Sequence, residues 1–304
     1  MKNKTVLLTG SSGFLGKYIQ TYLSKAGLTV ITLGRNTCDI GCDLAIEVPE
    51  LPANIDYVVH AAGKAHSVPK TIEEGEVFYE VNYKGTVHLL KALKASKSPV
   101  KSIIFISSVA VYGCFEGSLI DEKFSLNAKD PYGKSKILAE QSIETYGLEE
   151  EIYTCILRLP LIAGHIAPGN LGSMIKAIKK GWYLSIGKAD VKKSVVLAED
   201  VAEIIPNLFE MKGIYNLTDG CHPTFSELEN SIATSLGKRN PLKIPQTLAN
   251  LMAKTGDFVG KKSPINTLKL QKIQSELTFS DLKAKTEIGW NPKKVVDNID
   301  RILQ

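Results

Sequence analysis

The first twenty-five residues constrain the fold more than any other part of the chain. Residues 5–8 form a short apolar run, and Thr9-Gly10-Ser11-Ser12-Gly13-Phe14-Leu15-Gly16 follows at once. Beyond Gly13, apolar side chains fall at Phe14, Leu15, Tyr18, Ile19, Tyr22 and Leu23, which is one face of a helix. A buried strand running through a glycine turn into a helix opens a βαβ unit. The three glycines have separate reasons. The chain turns sharply at Gly10, a ligand approaches the backbone at Gly13, and the helix packs closely on the sheet at Gly16. The N–H groups and positive dipole of the helix start, around Ser12, Phe14 and Leu15, then suit a pyrophosphate. The alternative is a tight turn that holds no ligand.

The rest of the first half repeats the theme. Residues 29–33, 57–60, 102–106 and 154–157 are short apolar runs without alternation, as in strands covered on both faces. Helical periodicity fills 73–96 and 133–146. The pattern predicts an α/β fold, a doubly wound parallel (Rossmann) sheet with a smaller, mostly helical C-terminal substrate lobe. We expect a dinucleotide-binding domain over 1–164, with 194–217 returning to it, and a substrate lobe from 165–193 and 218–304. In the second half a Gly/Pro-rich loop from 165 leads to a helix over 171–180. A strand at 195–197, a helix from about 200 and a strand at 214–217 follow. The remainder reads as helical, broken at Pro241, Pro245, Pro264 and Pro292.

Composition sets limits. At 44% hydrophobic and 23% charged, the 304 residues are neither disordered, collagen-like nor coiled coil throughout. A net charge of +5 suits an anionic small ligand, and the lysines form no run that would mark a nucleic-acid site. The five cysteines are odd in number and form no CxxC pair. Cys38 and Cys42 lack a second pair at zinc spacing, so no metal is expected and the thiols read as reduced. No apolar stretch reaches 18 residues, and the run behind Lys2 and Lys4 is too short for a signal-peptide core. We expect a cytoplasmic protein with neither nucleic-acid nor membrane partner.

Specificity for the dinucleotide is written after the second strand. There the chain reads Leu33-Gly34-Arg35-Asn36, with no carboxylate at the tip for a ribose 2′-hydroxyl. Arg35 therefore tilts the choice between NADP and NAD towards NADP. It could equally be a solvated charge or stack on adenine. Asp43 and Leu44 are further adenine neighbours.

Tyr132 and Lys136 stand four residues apart at the start of a helical pattern, so both leave one face. A phenol has an ordinary pKa of about 10, and each unit of depression represents about 1.4 kcal/mol of charge stabilisation. A neighbouring ammonium and a cationic nicotinamide can supply it. The tyrosinate then takes a proton from an alcohol while hydride leaves the same carbon. Ser107 and Ser108 end the strand over 102–106, where open α/β sheets bind ligands. Ser108 can hydrogen-bond the reacting oxygen, whereas Ser107 reads as structural.

Together these motifs resemble the extended short-chain dehydrogenase/reductase family, in its NAD(P)-dependent nucleotide-sugar epimerase/dehydratase branch. The resemblance spans nearly the whole chain. It rests on the glycine loop, DYVVHAAG at 56–63, VNYKGT at 81–86, SSVAVYG at 107–113 and PYGKSKILAE at 131–140. It continues through RLP at 158–160, SVVLAEDV at 194–201 and EIGWNP at 287–292. The resemblance implies a catalytic triad of Ser108, Tyr132 and Lys136. It also implies that Ala61, Ala62 and Gly63 line the cofactor, that Asn82 supports the helix behind the lysine, and that Leu159-Pro160 approach the nicotinamide amide. Departures matter. Val109-Ala110 replace the Asp-Glu pair of dehydratases, so 4,6-dehydration is not expected. Val109 also replaces the cysteine of 3,5-epimerising members. The family's diphosphate arginine is here Lys193, which keeps the charge but loses the bidentate fork. Asn170 matches the family's substrate-side asparagine. The resemblance further implies a homodimer through the helices at 73–96 and 133–146.

The expected activity is oxidoreduction or epimerisation at a hydroxyl or keto carbon, C4, of a nucleotide-diphosphate sugar. An NADPH-dependent 4-keto reductase shares this chemistry. A non-catalytic dinucleotide sensor is the alternative of another class, though such proteins lose the Tyr or the Lys.

Overall fold

The computed structural model describes residues 4–65, 69–186, 190–259 and 266–303, and the break expected at Pro264 lies outside them. Its centre is a seven-stranded parallel sheet. The strands are β1 (Thr5–Thr9), β2 (Thr29–Gly34), β3 (Ile40–Gly41), β4 (Tyr57–His60), β5 (Ser102–Ser108), β7 (Tyr153–Leu159) and β11 (Gly213–Asn216). Their order is β11-β7-β5-β4-β1-β2-β3. The chain builds outward from β1 to β3, then crosses back to β4 on the other side of β1. That reversal is the topological switch point, where the C-terminal strand ends leave a crevice. Thr9 of β1 lies opposite His60 of β4 at its edge.

Alternate strand residues feed two cores. Val6, Leu8, Val59, Ile104 and Leu157 pack with α1 (Phe14–Lys25), chiefly Ile19 and Leu23. Leu7, Val58, Ile103, Phe105 and Ile156 face the opposite layer. That layer comprises α2 (Ile72–Phe78), a π turn at Tyr79–Lys84, α3 (Gly85–Ser96) and α4 (Pro131–Glu149). Burial on both faces explains why the strands read as unbroken apolar runs; each such side chain contributes roughly 1.5–3 kcal/mol. The periodicity over 73–96 thus corresponds to α2 and α3 joined through one wider turn.

Smaller elements complete the chain. β6 (Gly117–Ile120) pairs with β13 (Leu277–Phe279), β8 (Leu161–Ala163) with β10 (Val195–Leu197), and β9 (Leu184–Ile186) with β12 (Leu242–Ile244). The helices are α5 (Gly169–Lys180), α6 (Ala198–Ile204), α7 (Phe225–Ser235), α8 (Gln246–Val259), α9 (Thr267–Gln274), α10 (Leu282–Glu287) and α11 (Ile299–Leu303). A third core joins α5, α7 and α11 through Met174, Ile178, Leu228, Ile232 and Ile299. Among the described residues, no helix is long and apolar enough to cross a membrane.

Candidate active site

The glycine loop separates what the fold needs from what a ligand needs. Gly10 has φ +73°, and a Cβ there would lie 2.6 Å from the Ala62 nitrogen and 2.7 Å from the Ala61 carbonyl carbon. A Cβ on Gly16 would run into the Gly10 carbonyl. Both positions must be glycine for α1 to reach the sheet. Gly13 differs: its φ of −71° is ordinary, and a Cβ would meet only the Gly10 oxygen, at 3.1 Å. Glycine at 13 therefore serves the space outside the loop. No side chain caps α1, and its first turn holds no acidic residue, so the N–H groups and dipole of its start are open to an anion. Ser12 and Gly13 are exposed, Phe14 is half-buried and Leu15 is buried. Ala61, Ala62 and Gly63 follow β4, and the Ala62 N–H donates to Thr9 Oγ1 at 3.1 Å.

At the far end of the crevice Arg35 is exposed beyond the tip of β2. Asp39 is exposed as well, but is tied back to β2. Its carboxylate accepts from the Thr32 N–H and hydroxyl at 2.8 and 2.7 Å, and these bonds hold its pKa below the ordinary value. Asp43 Oδ1 accepts from the Ala45 N–H, and Leu44 is buried, its carbonyl accepting from His88 Nδ1 at 2.8 Å.

Local capping aims the Tyr-Lys pair. The Asp130 carboxylate accepts from the Gly133 N–H at 3.0 Å, and Pro131 occupies the first turn of α4. Tyr132 and Lys136 then leave the face of α4 that meets the end of β5. Ser108, the last residue of β5, accepts from the Ala110 N–H at 3.2 Å, and its side chain faces Tyr132. Burial raises the Tyr132 pKa, the Ser108 contact lowers it, and Asp130 raises it again; the net direction is up. The depression expected from the sequence rests on a cationic nicotinamide together with Lys136. Lys136 donates instead to the Ile106 carbonyl at 2.8 Å and stands 4.5 Å over the Phe105 ring. Burial lowers the Lys136 pKa to about 8, against an opposing pull from Glu140. As it stands, the site holds a neutral phenol.

The lysine lies under the loop that follows β4. A Cβ on Gly63 would come 3.3 Å from Lys136 Nζ and 3.0 Å from Asn82 Oδ1. Asn82, buried in the π turn, accepts from the Lys64 N–H at 2.7 Å and donates to the Lys64 carbonyl and to Ser135 Oγ. Ser135 donates to the Tyr132 carbonyl at 2.7 Å. Asn82 thus ties that loop to α4.

Two buried groups behind the site were invisible in the sequence. The Thr86 hydroxyl gives its proton to the Asn82 carbonyl, so His60 Nε2 must donate to Thr86 at 2.9 Å; Nδ1 then accepts from Thr9 at 2.7 Å. Burial, and secondarily Lys136, hold His60 neutral, with its pKa lowered to about 3. The second group is a buried ion pair. Arg158 of β7 donates to both Glu140 oxygens at 3.1 and 2.7 Å and to the Tyr112 oxygen at 3.1 Å. Ser107 donates to Glu140 from β5, which gives it the structural role expected. Neither group belongs to a periodic pattern, and Glu140 and Arg158 are 18 residues apart, so only their common burial joins them.

Of the remaining predicted residues, Leu159 lies opposite Ser108 in the sheet register. Leu159 is buried and Pro160 half-buried beyond the end of β7. Asn170 is exposed in the first turn of α5. Lys193 donates to the carbonyls of Lys272 and Ser275 where α9 ends, and burial lowers its pKa to about 8.

Comparison with known proteins agrees with this fold. A UDP-glucose 4-epimerase of Vibrio cholerae is 27% identical over 96% of this chain and 92% of its own length. A GDP-6-deoxy-D-mannose reductase of Pseudomonas aeruginosa is 30% identical over 75% of this chain and 79% of its own. The solved structure of RMD from Pseudomonas aeruginosa, complexed with NADPH, superposes with a TM-score of 0.72 at 24% identity, covering 99% of this chain and 98% of that one. The model of the NAD dependent epimerase/dehydratase family matches residues 6–217, and the chain belongs to that family of NAD(P)-dependent enzymes.

Proposed function

We propose that the protein catalyses hydride exchange at C4 of a nucleotide-diphosphate sugar, with Tyr132 as the acid/base. One observation carries the reading: the Tyr132 phenol faces Ser108 at the C-terminal end of β5, while Lys136 of the same helix reaches under Gly63 beside the switch point. The residues fit a dinucleotide, since the glycine loop leaves open at Gly13 the space that a Cβ would fill. When bound, NAD(P) supplies the hydride acceptor or donor. Tyr132 gives or takes the hydroxyl proton, Ser108 orients the reacting oxygen, and Lys136 supplies the positive charge that offsets burial of a tyrosinate. Val109 and Ala110 follow Ser108, so no acid–base pair for dehydration adjoins the site.

Substrate contacts follow the same reading. Asn170 and Lys193 are its diphosphate ligands, Lys193 after leaving the carbonyls at the end of α9. In this reading the sheet holds the dinucleotide, and 165–193 with 218–304 close over the sugar. The groove between α3 and α4, lined by Tyr83, Val87, Leu90, Leu138 and Tyr146, supports a homodimer.

Two outcomes share this chemistry, and the two curated relatives are named for one each. Exposed Arg35, with the Asp39 carboxylate already bonded to Thr32, favours NADPH and therefore one-way 4-keto reduction. Incubation with a UDP-4-keto sugar decides between them. Stoichiometric NADPH consumption identifies a reductase, and interconversion of UDP-glucose with UDP-galactose without consumption identifies an epimerase. Neither activity across UDP- and GDP-sugars overturns the proposal.

A further inference from the structure

Helix α8 carries its large and small apolar residues the wrong way round. It rests on its neighbours through buried Ala249, Ala253 and Gly256. Leu248, Leu251, Met252 and Phe258 are instead 47, 59, 36 and 94% exposed. At about 100° per residue, these four and Thr255 occupy an arc of roughly 120°. The Thr255 hydroxyl donates back to the Met252 carbonyl at 2.9 Å, so the arc contains no unpaired hydroxyl. Isolated exposed apolar side chains are ordinary; a contiguous stripe on one helix signals a partner. The preceding ribbon adds to it: β12 pairs Leu242 with Leu184 of β9, both exposed, and Trp182 is 64% exposed two residues earlier.

Charge identifies the partner. Although the lysines form no single run, residues 236–274, from the end of α7 to the end of α9, hold eight Lys/Arg and one Asp. That segment carries +7 in a chain of net +5, so all other residues together sum to −2. Lys238, Arg239 and Lys254 are exposed and enter no ion pair among the described residues. A second copy docked through this surface would set like charges against each other. A nucleic acid would match the charge but leave the apolar arc in water. An anionic lipid surface matches both.

We propose that this lobe docks on anionic membranes, with the outward arc of α8 seated among the headgroups and the flanking cations on lipid phosphates. The inference is independent of the proposed reaction. It revises the expectation of no membrane partner, and it differs from a membrane span because an interfacial helix lies in the surface rather than across it.

Flotation of the full-length protein with lipid vesicles tests this. The protein should float with vesicles of phosphatidylglycerol and phosphatidylethanolamine, and not with phosphatidylcholine alone. Leu251→Ser with Phe258→Ser should lower partitioning about a hundredfold. Lys238→Glu with Arg239→Glu should lower it at least about 25-fold. Both variants should keep the native melting temperature and NADPH affinity, and the charge variant stands alone if the apolar variant misfolds. Failure to float with anionic vesicles, equal flotation with phosphatidylcholine, or unaltered partitioning of the variants overturns the proposal. So does sedimentation showing that Leu251→Ser with Phe258→Ser converts a dimer to monomer, since a second copy would then own the surface.

Discussion

Glu140→Gln isolates the worth of the charge buried behind the active site. The Glu140 and Arg158 side chains are 1% and 2% exposed, and the guanidinium makes two bonds to the carboxylate. Glutamine preserves volume and leaves an oxygen to accept from Ser107, so the loss measures charge rather than a cavity. A buried guanidinium without its counter-charge costs about 3–5 kcal/mol, a large share of a stability of about 5–15 kcal/mol. Arg158→Met should cost a similar amount, because it strands the carboxylate. The pair Glu140→Met with Arg158→Met removes both charges and leaves Tyr112 bonded to Asn216. It should therefore cost at least about 2 kcal/mol less than Glu140→Met and Arg158→Met measured singly and added together. Urea denaturation at pH 7 reads each value through Trp290, which is buried with its indole donating to the Thr218 carbonyl. Glu140 lies one turn beyond Lys136 on α4, so the destabilised variants should also bind NADPH more weakly. A Glu140→Gln cost below about 1 kcal/mol, or strict additivity in the double variant, would refute the reasoning.

Three further outcomes follow from the site. Gly13→Ala should change stability by less than about 1 kcal/mol yet weaken NAD(P) binding at least tenfold, whereas Gly16→Ala should destabilise the fold by about 1–3 kcal/mol; calorimetric melting with dinucleotide titration separates them, and equal melting losses would contradict the assignment. His60 has its folded pKa lowered to about 3 from 6.5, so the native state binds fewer protons than the unfolded chain between those values. Stability must therefore fall as pH drops below 6.5, by about 2 kcal/mol at pH 5; His60→Gln should remove that part of the slope in melts at pH 7 and pH 5, and an unchanged slope would contradict the neutral assignment. Arg35→Asp should shift the NADP-to-NAD affinity ratio towards NAD by at least about tenfold, and an unaltered ratio in fluorescence titrations would remove Arg35 from the ribose site.

What the sequence made legible depended on signals with local period or spacing. The glycine loop at 10–16, the apolar strand runs and the i,i+4 relation of Tyr132 and Lys136 each need only neighbouring residues. The structure places them as read: the loop at the switch point, and the pair beside Ser108. What stayed hidden involves distant partners or a balance of opposing effects. The π turn at Tyr79–Lys84 keeps helical periodicity, so nothing in the residue pattern separates it from the helices on either side. His60 lies within an apolar strand and gains meaning only from Thr9 and Thr86, which belong to other elements. At Tyr132 burial opposes the Ser108 contact, and spacing along the chain carries neither. Lys193 carries the charge expected of it, but folding presents it with the two carbonyls at the end of α9.

The central claim is that the Tyr132 phenol carries the proton while neighbouring residues hold the dinucleotide. Its most direct test compares wild type with Tyr132→Phe in turnover of UDP- and GDP-sugars and their 4-keto forms, alongside NADPH titration. Removing one hydroxyl from a general acid/base should lower turnover by about 10²–10⁴-fold and leave NADPH affinity within about threefold. Turnover by Tyr132→Phe equal to that of the wild type would contradict the account.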